Sequence, residues 1–197
     1  TTNPERLLIS IALLGRVATD RCVLRSGAQV GDAIFVTGEL GGSRAGKHLD
    51  FEPRLAEARW LAEHFKPHAM IDLSDGLAGD LRHLLRAGNV GAELLAKAIP
   101  VSRAAKELAR SDRAIGKETH GGAPKPPLAA ALTDGEDFEL LFAVGSRNAV
   151  PLLDAWKKQF PKVRLSCIGK ITAGPGLTIR DGRGVRSVTE HGYVHFK

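Results

Sequence analysis

Apolar and polar positions alternate between two periods along this chain, and the switches between them divide it into strands and helices. An unbroken apolar run over residues 7–14, interrupted only by Ser10, reads as a buried strand close to the first residue. Residues 33–38, after the turn-forming pair Gly31-Asp32, read as a second strand. The spacing of Leu55, Ala58, Leu61 and Phe65 predicts a helix over 53–65. Residues 69–73 form a short strand pattern that runs into Ser74-Asp75-Gly76, after which Leu77, Leu81, Leu84 and Leu85 mark one helical face. A further strand is expected at 90–99, a helix at 101–110, a strand at 138–144, a helix at 149–160 and a strand at 164–171. Residues 111–127, rich in Gly, Lys and Pro, read as a loop, and a Gly-rich region precedes the aromatic tail. Strands that alternate with helices predict an α/β fold of mixed α+β character, a mixed β-sheet flanked by helices. No repeat of about 20–50 residues points to a solenoid.

Composition narrows the function classes. At 197 residues and 43% hydrophobic, the chain supports one substantial core. No stretch reaches the roughly 18 apolar residues of a membrane helix, and the first residues lack a secretory layout, which predicts a soluble, cytoplasmic protein with no membrane partner. Cys22 and Cys167 lie far apart, and the seven histidines form no metal-binding spacing, so neither a disulfide framework nor a zinc site is indicated. The 28 basic residues against 22 acidic ones give a charge of +6, which favours anionic partners. Those basic residues are scattered and aromatics make up only 5%, a pattern that argues against nucleic acid.

Four segments carry candidate chemistry. Gly41-Gly42-Ser43-Arg44-Ala45-Gly46-Lys47-His48 approaches a phosphate-binding loop, but His48 stands where a Mg²⁺-binding hydroxyl belongs, and the glycines serve a turn and helix start equally well. In Asp72-Leu73-Ser74-Asp75-Gly76, strand alternation puts Asp72 and Ser74 on one side, while Asp75 meets the unpaired N–H groups of a helix entrance. The place suits Mg²⁺ and phosphate; it also suits Ser74 or Asp75 as a plain helix cap. Asp134-Gly135-Glu136-Asp137-Phe138-Glu139 crowds four carboxylates before an apolar strand. It reads either as a solvated turn or as a place where a cation or cationic ligand relieves the repulsion. The tail from Gly192 to Phe196 reads as an edge strand or as a stacking surface for a ligand.

Taken together, these segments resemble the thiamine-monophosphate kinase family, within the superfamily that also holds aminoimidazole ribonucleotide synthetase, selenophosphate synthetase and a hydrogenase maturation factor. The resemblance rests on Thr1-Thr2, Leu24-Arg25-Ser26-Gly27-Ala28 with Gly31-Asp32, Val36-Thr37-Gly38, the Asp-x-Ser-Asp-Gly-Leu segment at 72–77, the Gly-Glu-Asp-Phe-Glu-Leu segment at 135–140, Cys167-Ile168-Gly169, and the Gly-Tyr-x-His-Phe ending at 192–196. It implies transfer of the γ-phosphate of ATP to thiamine monophosphate, giving thiamine diphosphate. By motif, Arg25 and Ser74 would meet ATP, Asp72 and Asp75 would bind Mg²⁺, and Glu136 and Phe196 would meet the substrate. It further implies that residues 1–30 correspond to the end of an N-terminal ATP-binding domain and a linker strand. Residues 31–197 would then be a C-terminal domain like that of aminoimidazole ribonucleotide synthetase. Relatives carry most Mg²⁺ ligands, much of the ATP site and the main dimer interface on the N-terminal domain, so the resemblance implies a homo-oligomer or pairing with such a domain, and weak or no activity without it. Asp134 departs from the glycine usual there, and the 111–127 loop is longer than typical. A non-catalytic nucleotide- or partner-binding fragment and a superfamily relative acting on another small molecule are the competing expectations.

Overall fold

The computed structural model describes residues 11–112 and 125–192 in full, and residues 113–114 and the strands Thr2–Asn3 (β1) and Arg6–Leu7 (β2) by their backbone. A single seven-stranded sheet organises the rest: Ala33–Thr37 (β3), Ala69–Leu73 (β4), Gly91–Leu95 (β5), Glu139–Val144 (β6), Leu165–Thr172 (β7), Gly176–Asp181 (β8) and Gly184–Ser187 (β9). Their order across the sheet is β4-β6-β3-β7-β5-β8-β9, antiparallel throughout except for the parallel pair β5–β8. The helices are Leu55–His64 (α1), Leu77–Gly88 (α2), Arg103–Ala114 (α3), Pro127–Thr133 (α4) and Ala149–Gln159 (α5).

The central strand β3 is buried at every position because both of its faces are covered. Period-2 alternation sends Ala33 and Phe35 to one side, where they meet Leu61 of α1 and Leu152 and Trp156 of α5. Ile34 and Val36 go to the other side, against Leu77, Leu81 and Leu84 of α2 and Leu132 of α4. Phe35 and Phe142 are register partners on β3 and β6 and stack at 5.6 Å between ring centroids. The Trp156 indole donates to the Val163 carbonyl at 2.7 Å, which satisfies the one polar atom of a buried ring.

The α/β architecture and most predicted elements are present. Three expectations change. Residues 11–18 form no strand, and Leu13 and Leu14 are 90% and 102% exposed, since none of the described elements offers the run an apolar face. The helix expected at 101–110 continues to Ala114, into the expected 111–127 loop, and an additional helix, α4, begins at that loop's last residue; residues 115–124 lie outside the described residues. The Gly-rich region contains the hairpin β8–β9, closed by the Arg183 N–H donating to Asp181 Oδ1 at 2.7 Å. The tail beyond Gly192, including Phe196, also lies outside the described residues.

Candidate functional site

Strand β4 ends at Leu73, and the chain turns at Ser74-Asp75-Gly76 before entering α2. Leu73 faces the core, so alternation leaves Asp72 exposed, with Ser74 and Asp75 half-buried beyond it. The N-cap position of the helix falls on Gly76, which has no side chain to cap it. Asp80, in the first turn of α2, reaches back instead and accepts the backbone N–H groups of Ser74 (3.0 Å) and Asp75 (2.9 Å). Burial pushes the Asp80 carboxyl up to about 6; these two hydrogen bonds oppose the rise, and the negative charges of Asp75 and Asp72 add to it. Three carboxylates therefore sense one another at this junction.

The acidic segment 134–139 packs directly against it. The Glu136 N–H donates to the Ser74 carbonyl (2.8 Å) and the Phe138 N–H to the Leu73 carbonyl (2.8 Å), with Glu136 and Phe138 both at positive φ (68° and 50°). A Cβ on Gly135 would lie 2.6 Å from the Ser74 carbonyl oxygen, so only glycine permits this approach. The two motifs that lie sixty residues apart in sequence thus form one continuous surface.

A solvated turn does not describe Asp134, Asp137 and Glu139, because the protein itself supplies their partners. Asp137 is buried and accepts the Gly41 N–H on both oxygens at 3.0 Å. Asp134 accepts the Gly42 N–H at 3.0 Å and pairs with Lys125. Glu139, 1% exposed, takes Arg54 (2.8 and 3.0 Å), Lys47 (2.8 Å) and the Thr37 hydroxyl (2.7 Å). Burial drives the Glu139 carboxyl upward, but Arg54, Lys47 and Thr37 outweigh it and hold the group below its ordinary value. Burial without such cations pushes Asp137 up to about 7, moderated by the Gly41 N–H and Lys47 and raised further by Asp134 and Glu139. Glu136 is the member turned outward, 3.9 Å from Arg44, with both side chains well exposed.

The segment 41–48 is accordingly no phosphate-binding loop. Gly42 leads into a short 3-10 helix, Ser43–Ala45, rather than an α-helix, and Lys47 is committed to the buried Glu139. Its role is to clamp the acidic segment, which it also does through the Ser43 hydroxyl donating to the Gly135 carbonyl at 2.5 Å.

Between this clamp, α3, α4 and the end of the described chain lies a cleft of about 390 Å³, lined by Gly42, Arg44, Lys125, Asp134, His191 and neighbouring residues. Gly192 closes it against the junction so tightly that a Cβ there would meet the Asp75 carbonyl oxygen at 2.2 Å. The junction thus meets the lining of the cleft through two glycines: the backbone of Ser74 and Asp75 lies against Gly135 and Gly192, Glu136 faces the lining residue Arg44, and Asp72 stands at the exposed end of β4. Arg25 stands apart: its stretch runs beside the start of β4, where the Met70 N–H donates to the Leu24 carbonyl at 3.2 Å, and its side chain is exposed. Sequence reasoning missed Asp80, Arg54 and the pairs made by Arg44 and Lys125. Only Asp80 carried a local signal, an acidic residue in the first turn of a helix.

Comparison with known proteins gives this geometry a context. The description "AIR synthase related protein, C-terminal domain" matches residues 33–182. The chain is 40% identical over 190 residues to a thiamine-monophosphate kinase of Rhodopirellula baltica, covering 96% of this chain and 55% of that protein. It is 32% identical to the thiamine-monophosphate kinase of Aquifex aeolicus, covering 98% of this chain and 60% of that protein. It therefore spans somewhat more than half the length of these relatives. Among solved structures, the thiamine-monophosphate kinase of Stenotrophomonas maltophilia superposes with a TM-score of 0.65 at 27% identity over 83% of this chain and 54% of its own. AaThiL, solved with AMPPCP and TMP, gives a TM-score of 0.61 at 29% identity over 88% and 54%. With the family description matched over three-quarters of its residues, and a mixed sheet of the same fold, the chain belongs to the AIR synthase related proteins through their C-terminal domain.

Proposed function

We propose that this chain forms the substrate-facing surface, and part of the metal-facing surface, of a kinase that transfers the γ-phosphate of ATP to thiamine monophosphate. The observation that carries this reading is the hydrogen bond from the Glu136 N–H to the Ser74 carbonyl, which joins the carboxylate-bearing junction to the outward Glu136 beside the cleft that Gly135 and Gly192 line. The likeness to thiamine-monophosphate kinases, one of them solved with AMPPCP and TMP, supports the same choice.

In this reading residues 31–197 are the C-terminal domain and residues 1–30 belong to an N-terminal ATP-binding domain and its linker. Asp72 and Asp75 hold Mg²⁺, Ser74 and Arg25 meet ATP, and Glu136 and Phe196 meet the substrate. Among the described residues no group of three or more His, Cys, Asp or Glu is arranged to hold a metal ion. Mg²⁺ commonly binds through one or two carboxylates together with phosphate oxygens and water, and the mutual repulsion of Asp72, Asp75 and Asp80 is of the kind a divalent cation relieves, so the pair fits as a partial ligand set. Bound there, Mg²⁺ neutralises crowded phosphate oxygens during in-line transfer. The chain's own contribution is to fix the two carboxylates at the end of a buried strand and to aim Glu136 at a cationic ring. No described helix is long and apolar enough to cross a membrane; a cytoplasmic enzyme, acting as a homo-oligomer or with an N-terminal domain, completes the proposal.

The test is thiamine diphosphate formation from Mg²⁺, ATP and thiamine monophosphate, with Asp72→Asn as the control. Product that disappears in the variant supports the reading. Absence of both turnover and thiamine monophosphate binding overturns it. The exposed apolar residues Ile11, Leu13, Leu14 and Val17 favour a second reading, in which the chain binds substrate but turns over only with a partner domain seated on that run. Binding without turnover, restored by such a domain supplied in trans, would select it.

A further inference from the structure

Two ion pairs stand at the cleft, Lys125–Asp134 wholly within its lining and Arg44–Glu136 through Arg44. Arg44 lines the cleft and faces Glu136 at 3.9 Å; Lys125 lines it and is paired with Asp134, whose other oxygen is fixed by the Gly42 N–H at 3.0 Å. The Asp134 side chain is 27% exposed and that of Lys125 43%, so this pair is open to ligand on one side and to solvent screening. The lining therefore offers the carboxylate of Asp134 and the cations of Lys125 and Arg44, with Glu136 beside Arg44, and the protein's own cations occupy the places that a ligand cation would take.

A ligand with only a positive charge must displace Lys125 or Arg44 and leave it unpaired. A ligand with only a negative charge must do the same to Asp134 or Glu136. A zwitterion of the right length exchanges partners with a pair and leaves no charge alone, which is the arrangement an interface-like site favours electrostatically. We propose that Asp134 is a specificity-determining residue and that the Asp134–Lys125 pair is an internal latch, opened by a ligand carrying both a cationic ring and an anionic phosphate. The cation goes to Asp134 and Glu136; the anion goes to Lys125 and Arg44. This deepens the substrate reading given above and rests on it: it adds Asp134, Lys125 and Arg44 to the substrate surface and states why a phosphorylated cation is preferred over the free one.

Titration calorimetry of the full chain with three probes tests it: thiamine (cation alone), inorganic phosphate (anion alone) and thiamine monophosphate (both). In Lys125→Ala the competing cation is gone, so thiamine binds about two- to fivefold tighter, while thiamine monophosphate binds about three- to tenfold weaker for want of its phosphate partner. In Asp134→Asn, which keeps an acceptor for the Gly42 N–H, thiamine and thiamine monophosphate both weaken about three- to tenfold and phosphate does not. If Lys125→Ala moves thiamine and thiamine monophosphate by the same factor, or moves neither, the latch is overturned while the substrate reading stands. If the unaltered chain binds no thiamine monophosphate, both fall together. The opposite shifts in a single surface variant cannot come from a loss of folding, which lowers all three affinities alike.

Discussion

Asp137 offers a stability prediction whose sign is fixed by its surroundings. The side chain is 1% exposed, accepts the Gly41 N–H on both oxygens, and lies near Asp134 and Glu139. Burial is the main cause that pushes it from an ordinary 3.8 up to about 7. A carboxyl whose folded pKa exceeds its unfolded value binds its proton more tightly in the native state. Its contribution to stability is complete below the unfolded pKa and is lost as pH rises through about 7. Between about pH 5 and about pH 8 the loss amounts to roughly 2–3 kcal/mol. Asp137→Asn keeps a carbonyl acceptor for Gly41 and cannot ionise. The difference in unfolding free energy between variant and parent should therefore move by about 2–3 kcal/mol in the variant's favour over that interval, or by roughly 5–10 °C in melting temperature. Urea titrations followed by the fluorescence of Trp60 and Trp156 at the two pH values measure it, and comparison with the parent cancels every other titrating group. An unchanged difference across the interval would refute the argument and mean that Asp137 is already ionised in the native state near pH 5.

The contrast between Asp137 and its neighbour Glu139 also marks the limit of what the sequence discloses. Residues 33–38, 69–73 and 138–144 were legible as strands because their side chains are uniformly or alternately apolar, and α2 because Leu77, Leu81, Leu84 and Leu85 share one face. The junction that carries the candidate residues was legible too, as a strand pattern at 69–73 that runs through Ser74-Asp75-Gly76 into a helix. What holds the site together was not. Glu139 is neutralised by Thr37, Lys47 and Arg54, which lie 102, 92 and 85 residues away in the chain, and no local pattern encodes such pairings. The segment 134–139 looked solvated for the same reason: charge density is local, but the N–H groups of Gly41 and Gly42 that absorb it arrive through the sheet. α4 was hidden because Ala129, Ala130 and Ala131 give a seven-residue helix no polar face to set a period. Residues 11–14 were misread because an apolar stretch announces burial, and in the described part of this chain they are exposed.

Three further perturbations probe the same architecture. Arg54→Ala removes two of the hydrogen bonds to the buried Glu139 and leaves Lys47 as its cation, so a loss of about 2–4 kcal/mol is expected in chemical unfolding; a loss below about 0.5 kcal/mol would show that Lys47 alone suffices. Gly135→Ala drives a methyl group to within 2.6 Å of the Ser74 carbonyl oxygen and must part the acidic segment from the junction, which should lower stability by about 1–3 kcal/mol and weaken thiamine monophosphate binding at the same time. Gly192→Ala separates those two effects. Its Cβ would lie 2.2 Å from the Asp75 carbonyl oxygen and 3.2 Å from the Gly79 Cα, both parts of the backbone at the entrance of α2, which is anchored by Leu77, Leu81 and Leu84 and cannot yield. The residue that moves is therefore 192 itself, while the core stays packed; in the proposed function, where Phe196 meets the substrate, this shift carries the tail away from the ligand. Thiamine monophosphate affinity should fall about tenfold or more with a melting temperature within roughly 2 °C of the parent. Equal affinity in the two proteins would mean that the tail does not cover the ligand, and would remove Phe196 from the substrate surface.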